Sequence, residues 1–309
     1  MSNEQKERFK GVIVAMNSCY DAHGEVNTEA AKALARFLIS KGVNGLYVGG
    51  STGEGLLQSI EERQAILEAV IEAVGGAASV IAHVGALNTR DSIKLAIHAE
   101  SAGADALSAV APFYYGYNPD SVGKHWSSIA DSTSLPFIIY HIPSTTGFSL
   151  TTNLLRELKR NPKIIGVKTT SPSSYELQQF KTVGGEDFLL FNGPDEQYLA
   201  GRIMGADAAI GGTYGIMPEL FVRLEELYAS GQLEQARNLQ FRINDIITDL
   251  LQLPIYAALK ELVRRRGIDC GEVRAPLPTL NQEHMPLVEA VYEKVMSAIA
   301  QLTPAHPRT

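Results

Sequence analysis

The stretch Ile164-Ile165-Gly166-Val167-Lys168-Thr169-Thr170 joins an apolar run of strand character to one lysine and two hydroxyls. Four apolar or glycine residues ahead of a charge predict a buried parallel strand, because strands covered on both faces read as continuous apolar runs. A lysine at the end of such a strand has three ways to exist. It finds a counter-charge, it snorkels to water, or it sheds its proton and becomes a nucleophilic amine, as in Schiff-base enzymes. Isolated lysines are usually exposed, so the stretch by itself reads first as a strand-end lysine reaching solvent.

The preceding segment changes that reading. Pro136-Phe137-Ile138-Ile139-Tyr140-His141-Ile142-Pro143 is a second apolar run ending in a polar aromatic. Tyr140 and Lys168 are separated by the length of a strand, loop, helix, loop and next strand, which predicts that they end neighbouring parallel strands. A phenol and an amine then face one site.

Outward from this pair the same unit repeats. Strands are predicted at Gly11 to Met16, Gly45 to Gly50, Ser79 to Val84, Ala106 to Pro112, Phe137 to His141, the lysine strand, Phe188 to Gly193, and Ala208 to Thr213. Between them helices open at Asn27, at a Ser59-Ile60-Glu61-Glu62 capping box, near Asn88, at Asn118-Pro119, near Thr151, at a Ser173 to Glu176 capping box, near Asp195 and after Pro218. Eight strand-helix units of about 25 to 30 residues predict a closed (β/α)8 TIM barrel. The rival, an open doubly wound sheet, carries a G-x-G-x-x-G fingerprint after its first strand, and Met16-Asn17-Ser18-Cys19 stands there instead.

Residues 1–231 are thus read as the catalytic barrel and 232–309 as a C-terminal helical extension, packed on the barrel or at a subunit interface. In the extension, Leu233, Ala236, Leu239, Ile243, Ile246, Ile247 and Leu250 form one apolar stripe. Pro254 breaks it, and Val288, Val291, Val295 and Ile299 form another.

The composition, 45% hydrophobic and 20% charged over 309 residues, suits a globular enzyme rather than a disordered or fibrous chain. A formal net charge of -7 argues against nucleic acid or an anionic membrane as partner, while a small anionic molecule remains open as substrate, since local charge at a site need not follow the total. Two cysteines, Cys19 and Cys270, are too few for a disulfide framework or a cysteine metal cluster. Met1 to Lys10 is polar, without the apolar core of a signal peptide, and no run reaches transmembrane length. A cytoplasmic protein is expected.

Barrel enzymes place their chemistry at the C-terminal ends of strands. Here those ends carry Ser51 and Thr52, His83, Phe113 and Tyr114, Tyr140 and His141, Lys168 and Thr170, Asp195 and Glu196, and Gly211 to Thr213. Gly49-Gly50-Ser51-Thr52-Gly53-Glu54 is a glycine-rich turn whose N–H groups could hold a phosphate or a carboxylate, or a plain turn whose glycines serve geometry. His83 and His141 could be metal ligands, but they lack a third partner and an H-x-H or H-E-x-x-H pattern, so they read as satisfied polar residues near the mouth. Asp195 and Glu196 could cap the seventh helix or hold sugar hydroxyls. Tyr114 and Tyr115 could be exposed aromatics or line a subunit contact.

Taken together, Tyr47 to Glu54, Ile81-Ala82-His83-Val84-Gly85, Ala109 to Tyr115, Tyr140-His141-Ile142-Pro143, and Gly205-Ala206-Asp207 with Ile210-Gly211 resemble the N-acetylneuraminate lyase and dihydrodipicolinate synthase superfamily of class I aldolases. The turn Gly49 to Glu54, the Asn192 to Glu196 segment and Gly211 to Met217 most resemble its sialate-cleaving branch. The synthase branch typically has an arginine at the place of Thr145, for a substrate carboxylate.

The resemblance implies that Lys168 forms an imine with the C2 ketone of a keto acid, and that Tyr140 carries the proton of the C4 hydroxyl. It implies that Ser51 and Thr52 hold the pyruvyl carboxylate, that Thr170 orients C4, and that Gly193, Asp195 and Glu196 hold the polyol tail. It further implies that Tyr114 reaches a neighbouring subunit's site within a homotetramer, and that the enzyme needs neither cofactor nor metal.

Three departures bear on the aldehyde half of the substrate. Ser18-Cys19-Tyr20 replaces a usual Thr-Pro-Phe, Gly212 stands where sialate enzymes have serine, and His141 replaces a common asparagine. The alternatives are an aldolase for another 2-keto-3-deoxy sugar acid, dihydrodipicolinate synthase itself, a non-catalytic pyruvate sensor, and a metal aldolase using His83 and His141.

Overall fold

The computed structural model describes residues 6–302, so Met1 to Gln5 of the polar start and the last seven residues of the extension lie outside the described residues. Eight parallel strands are β1 (Gly11–Ala15), β2 (Gly45–Val48), β3 (Ser79–His83), β4 (Ala106–Val110), β5 (Phe137–His141), β6 (Ile164–Thr169), β7 (Leu189–Asn192) and β8 (Ala208–Gly211). Each pairs with the next, and β8 pairs with β1, so the sheet closes into the expected TIM barrel. Several strands end earlier than the apolar runs suggested. Met16, Gly49, Gly50, Val84, Ala111, Pro112, Gly193 and Gly212 fall in the loops beyond, and Thr213 opens a 3₁₀ turn, Thr213–Gly215.

Alternation along each strand divides the side chains between two cores. Ile13, Tyr47, Ile81, Val110, Ile138, Tyr140, Phe191 and Ile210 fill the barrel interior. Val12, Leu46, Val80, Leu107, Ile139, Val167 and Leu190 face the helical layer. Burying both faces is what makes the strands read as unbroken apolar runs.

The helix starts follow local chemistry. Asn27, Asn88, Asn118 and Thr151 each accept a backbone N–H of the first turn, and Ser59 with Glu62 forms the full reciprocal capping box. The second expected box is only half made. Ser173 accepts from the N–H of Glu176, but the Glu176 carboxylate turns inward to lie 3.4 Å from Nε2 of His141. After β7 the chain makes a 3₁₀ turn, Asp195–Gln197, before the helix Tyr198–Ile203, which has no side-chain cap. A short helical turn, Pro143–Thr146, follows β5 and was not apparent in the sequence.

Past β8 and the helix Pro218–Ala229 come Leu233–Leu250, Ile255–Arg265 and Met285–Ala300. Pro254 ends one helix and opens the next, as its missing N–H and fixed φ favour. The stripe residues Ala236, Leu239, Ile243, Ile246, Ile247 and Leu250 are buried, as are Val288, Val291 and Val295. Among the described residues no helix is long and apolar enough to cross a membrane.

Candidate active site

At the C-terminal mouth of the barrel a cavity of about 390 Å³ is lined by residues of strands, loops and extension. Of the residues singled out in the sequence, Ser51, Thr52, Tyr140, Lys168, Thr170, Gly193, Asp195, Glu196, Gly212 and Thr213 line it. His83, His141, Phe113 and Tyr114 do not.

Parity and register bring the central pair together. Tyr140 and Lys168 are directly opposed across β5 and β6, and both side chains point into the barrel. Lys168 is 4% exposed, and its Nζ lies 3.9 Å from the centre of the Tyr140 ring and 4.6 Å from that of Tyr47. The two rings stand nearly perpendicular, at 83°, with centres 6.0 Å apart. The amine sits in a corner of two aromatic faces.

The glycine turn after β2 carries Ser51 and Thr52 to the cavity rim. Its geometry depends on Glu54, whose φ of 54° lies in the left-handed region that a glutamate rarely enters. Glu54 is held there by a buried ion pair with Lys260, Oε1 to Nζ 2.7 Å, and by Arg274, whose backbone N–H donates to Oε2 at 2.7 Å. Lys260 in turn donates to the Glu272 carbonyl at 2.9 Å. The extension thus clamps the turn from behind.

Ser18, Cys19 and Tyr20, expected to bear on the aldehyde half of the substrate, belong to the same support and do not line the cavity. Ser18 Oγ donates to the Gly53 carbonyl at 2.6 Å, and the Tyr20 hydroxyl accepts from Gln58 at 2.7 Å.

Asp195 is buried, and its Oδ2 accepts from both the N–H and the hydroxyl of Thr213, at 2.7 and 2.6 Å. Its carboxyl is pushed up to about 6, by burial first, with the Thr213 hydrogen bonds opposing. Asp195 therefore ties the β7 loop to the β8 loop and does not cap the seventh helix. Glu196 beside it is exposed and free to meet a ligand from the rim. Gly193 permits close packing, since a Cβ there would lie 2.1 Å from Oγ1 of Thr170.

The two histidines face apart. His83 points inward: Nδ1 donates to the Gly49 carbonyl at 3.0 Å and Nε2 accepts from Val110 N–H at 3.3 Å, which sets its tautomer. Burial, helped by the nearby Arg63, pushes it well below the usual histidine range. His141 points outward, edge-on to Phe180, and burial lowers it while Glu176 opposes. Among the described residues no three His, Cys, Asp or Glu side chains come together in a way that could hold a metal ion.

Tyr114 is 87% exposed, with a φ of 83°, and packs edge-on against Tyr115. Sequence reasoning missed Ser144 and the wall supplied by the extension, Ile247, Leu251, Ile255, Tyr256 and Leu259. The break at Pro254 was the available signal, because it turns Ile255 and Tyr256 across the barrel mouth.

Compared with known proteins, residues 8–295 match the Dihydrodipicolinate synthetase family. The chain is 41% identical over 296 residues, 94% of each chain, to an N-acetylneuraminate lyase of Mediterraneibacter gnavus. It is 36% identical over 291 residues, 94% of this chain and 96% of the relative, to an N-acetylneuraminate lyase of Rhizobium meliloti. A solved structure described as a Ruminococcus gnavus sialic acid aldolase catalytic lysine mutant superposes with a TM-score of 0.94 at 40% identity, covering 96% of this chain and 99% of that one.

Proposed function

The chain belongs to the dihydrodipicolinate synthetase family, and from that premise we propose that it is a Schiff-base aldolase cleaving N-acetylneuraminate reversibly to N-acetylmannosamine and pyruvate. The observation that carries the reading is the pairing of Lys168 with Tyr140 inside one cavity that also presents hydroxyls and carboxylates.

In this mechanism the neutral Lys168 amine attacks the C2 ketone of the open-chain sugar acid, and the carbinolamine loses water to give an imine. Ser51 and Thr52 hold the adjoining carboxylate through hydroxyl and backbone N–H donors. Tyr140 takes the proton of the C4 hydroxyl as the C3–C4 bond breaks, and the bond electrons pass to the protonated imine, leaving an enamine. The aldehyde departs, C3 is protonated, and water releases pyruvate and regenerates the amine. Thr170 orients C4, and Gly193, Asp195 and Glu196 receive the polyol tail, where carboxylates accept from several hydroxyls.

Residues 232–309 act in this reading as a cap on the barrel of residues 1–231. Tyr114, exposed and backbone-strained in the single chain, reaches the site of a neighbouring subunit in a homotetramer. A cytoplasmic location is supported by the unpaired thiols of Cys19 and Cys270.

The test is a coupled assay of pyruvate release from N-acetylneuraminate, beside a panel of shorter 2-keto-3-deoxy sugar acids and the condensation of pyruvate with aspartate semialdehyde. Pyruvate and N-acetylmannosamine in equal amounts from sialate are expected. Turnover of a shorter acid or of the semialdehyde, with none of sialate, overturns the substrate assignment.

A further inference from the structure

We propose that the ring face of Tyr47 is a catalytic contact of the Lys168 nitrogen, completing with Tyr140 an aromatic corner that stabilises the protonated imine. The inference rests on the reading of Lys168 as the Schiff-base nucleophile and adds a residue to its chemistry.

Tyr47 is fully buried in the barrel interior, and its ring centre lies 4.6 Å from Nζ of Lys168. Its pose is fixed from several sides. The hydroxyl donates to Ser108 Oγ at 3.0 Å, and the His83 ring packs against it at 6.0 Å. Gly50 leaves the space it occupies, since a Cβ there would come within 2.6 Å of Cε1 of Tyr47. The second glycine of the turn and the inward histidine, neither of which has a step in the reaction, are thereby accounted for as the seat of this ring.

The face of an aromatic ring carries negative potential and attracts a cation. Along the reaction the nitrogen is neutral when it attacks and must be cationic when the C3–C4 bond breaks, because only the protonated imine draws the bond electrons. A ring face therefore stabilises the electron sink more than the neutral species on either side, which is the condition for accelerating the chemical step. A carboxylate in the same place would hold the free lysine as an ammonium ion far more strongly and suppress attack. Burial keeps the Tyr47 phenol protonated, so the ring offers its face without competing for the imine proton.

The experiment follows the pH dependence of imine trapping by pyruvate and cyanoborohydride, which reduces the protonated imine selectively. Lys168 labelling is read by peptide mass in the wild type, in Tyr47→Phe, in a form carrying ring-trifluorinated phenylalanine at position 47, and in Tyr47→Leu. Fluorination drains the ring face while nearly preserving its volume, so this comparison does not depend on the leucine variant folding.

Tyr47→Phe keeps the ring face and loses only the hydroxyl bound to Ser108, so it is the reference against which the other two forms are read. The fluorinated form and Tyr47→Leu should trap about tenfold more slowly near neutral pH, with the alkaline fall-off moved about one unit toward lower pH. Equal profiles for the phenylalanine and fluorinated forms overturn the proposal. So does an equal loss in Tyr47→Phe and Tyr47→Leu, which would assign the effect to the hydrogen bond with Ser108. An unlabelled wild type overturns the Schiff-base reading itself, and this inference with it.

Discussion

Tyr140 and Lys168 are opposed across β5 and β6 because β6 contains one irregular residue: Phe137 pairs with Ile164, but Ile138 pairs with Gly166, so Ile165 is passed over. Without that shift Tyr140 would face Val167, whose side chain points to the helical layer. The bulge re-aims the strand by one position, as such irregularities do near active sites.

This pairing separates two roles by mutation. Lys168→Ala should abolish both pyruvate trapping and sialate cleavage. Tyr140→Phe keeps the ring face 3.9 Å from the nitrogen and loses only the phenol. It should still trap pyruvate while cleavage falls by about 10² to 10⁴-fold, the range of a lost general acid or base. Trapping and turnover measured on the same samples check this, and parallel losses would contradict it.

Asp195 should give opposite pH dependences for stability and activity. Burial raises its folded-state carboxyl from 3.8 to about 6, so the folded chain holds the proton more tightly than the unfolded one. Its contribution is favourable at low pH and is lost as pH rises from about 4 through 6, a change on the order of 2 to 3 kcal/mol. Asp195→Asn should flatten that slope in urea unfolding curves taken between pH 4 and 7. Activity that uses the carboxylate should instead rise through about pH 6 in the wild type. A slope unchanged by the substitution would place the titration elsewhere.

The buried pair behind the glycine turn should be costly to break from one side. Glu54→Gln leaves the Lys260 ammonium, 2% exposed, without its counter-charge, and a loss of about 3 to 5 kcal/mol is expected. Replacing both partners, Glu54→Gln with Lys260→Met, should recover much of that stability, because no uncompensated charge remains. Chemical denaturation of the three variants is the measurement, and additive losses would rule out a coupled pair.

Gly193 should tolerate no side chain. A Cβ would stand 2.1 Å from Thr170 Oγ1 and 2.7 Å from the Thr169 carbonyl oxygen, and the second contact is with backbone. Gly193→Ala should destabilise by about 1 to 3 kcal/mol and lower kcat by displacing Thr170. Adding Thr170→Ala should not restore stability, since the carbonyl remains. Thermal melting and steady-state kinetics decide it, and full rescue by the second substitution would show that only the hydroxyl matters.

The barrel and the capped helix starts were legible in the chain because they rest on local chemistry. Asn27, Ser59, Asn88, Asn118 and Thr151 each bond a backbone group within a few residues, and such bonds are readable from spacing alone. The clustering of Ser51, Thr52, Tyr140, Lys168, Thr170, Asp195 and Glu196 was legible for a related reason, since a closed parallel barrel gathers all strand ends at one mouth.

Other features depended on partners far along the chain. Whether Tyr140 or His141 faces the cavity turns on side-chain parity in the closed barrel, and which residue of β6 meets Tyr140 on the irregularity at Ile165. The second capping box failed because Glu176 has a competing partner in His141, and Asp195 left its helix for Thr213.

By itself the sequence determined the repeating unit, its closure and the identity of the groups at the mouth, since periodicity and capping act over a few residues. Only the tertiary structure decided which of those groups meet, that Tyr47 lies beside the Lys168 nitrogen, and that the C-terminal helices wall the cavity. Those relations arise from packing between segments distant in the chain, and spacing along the backbone carries no record of them.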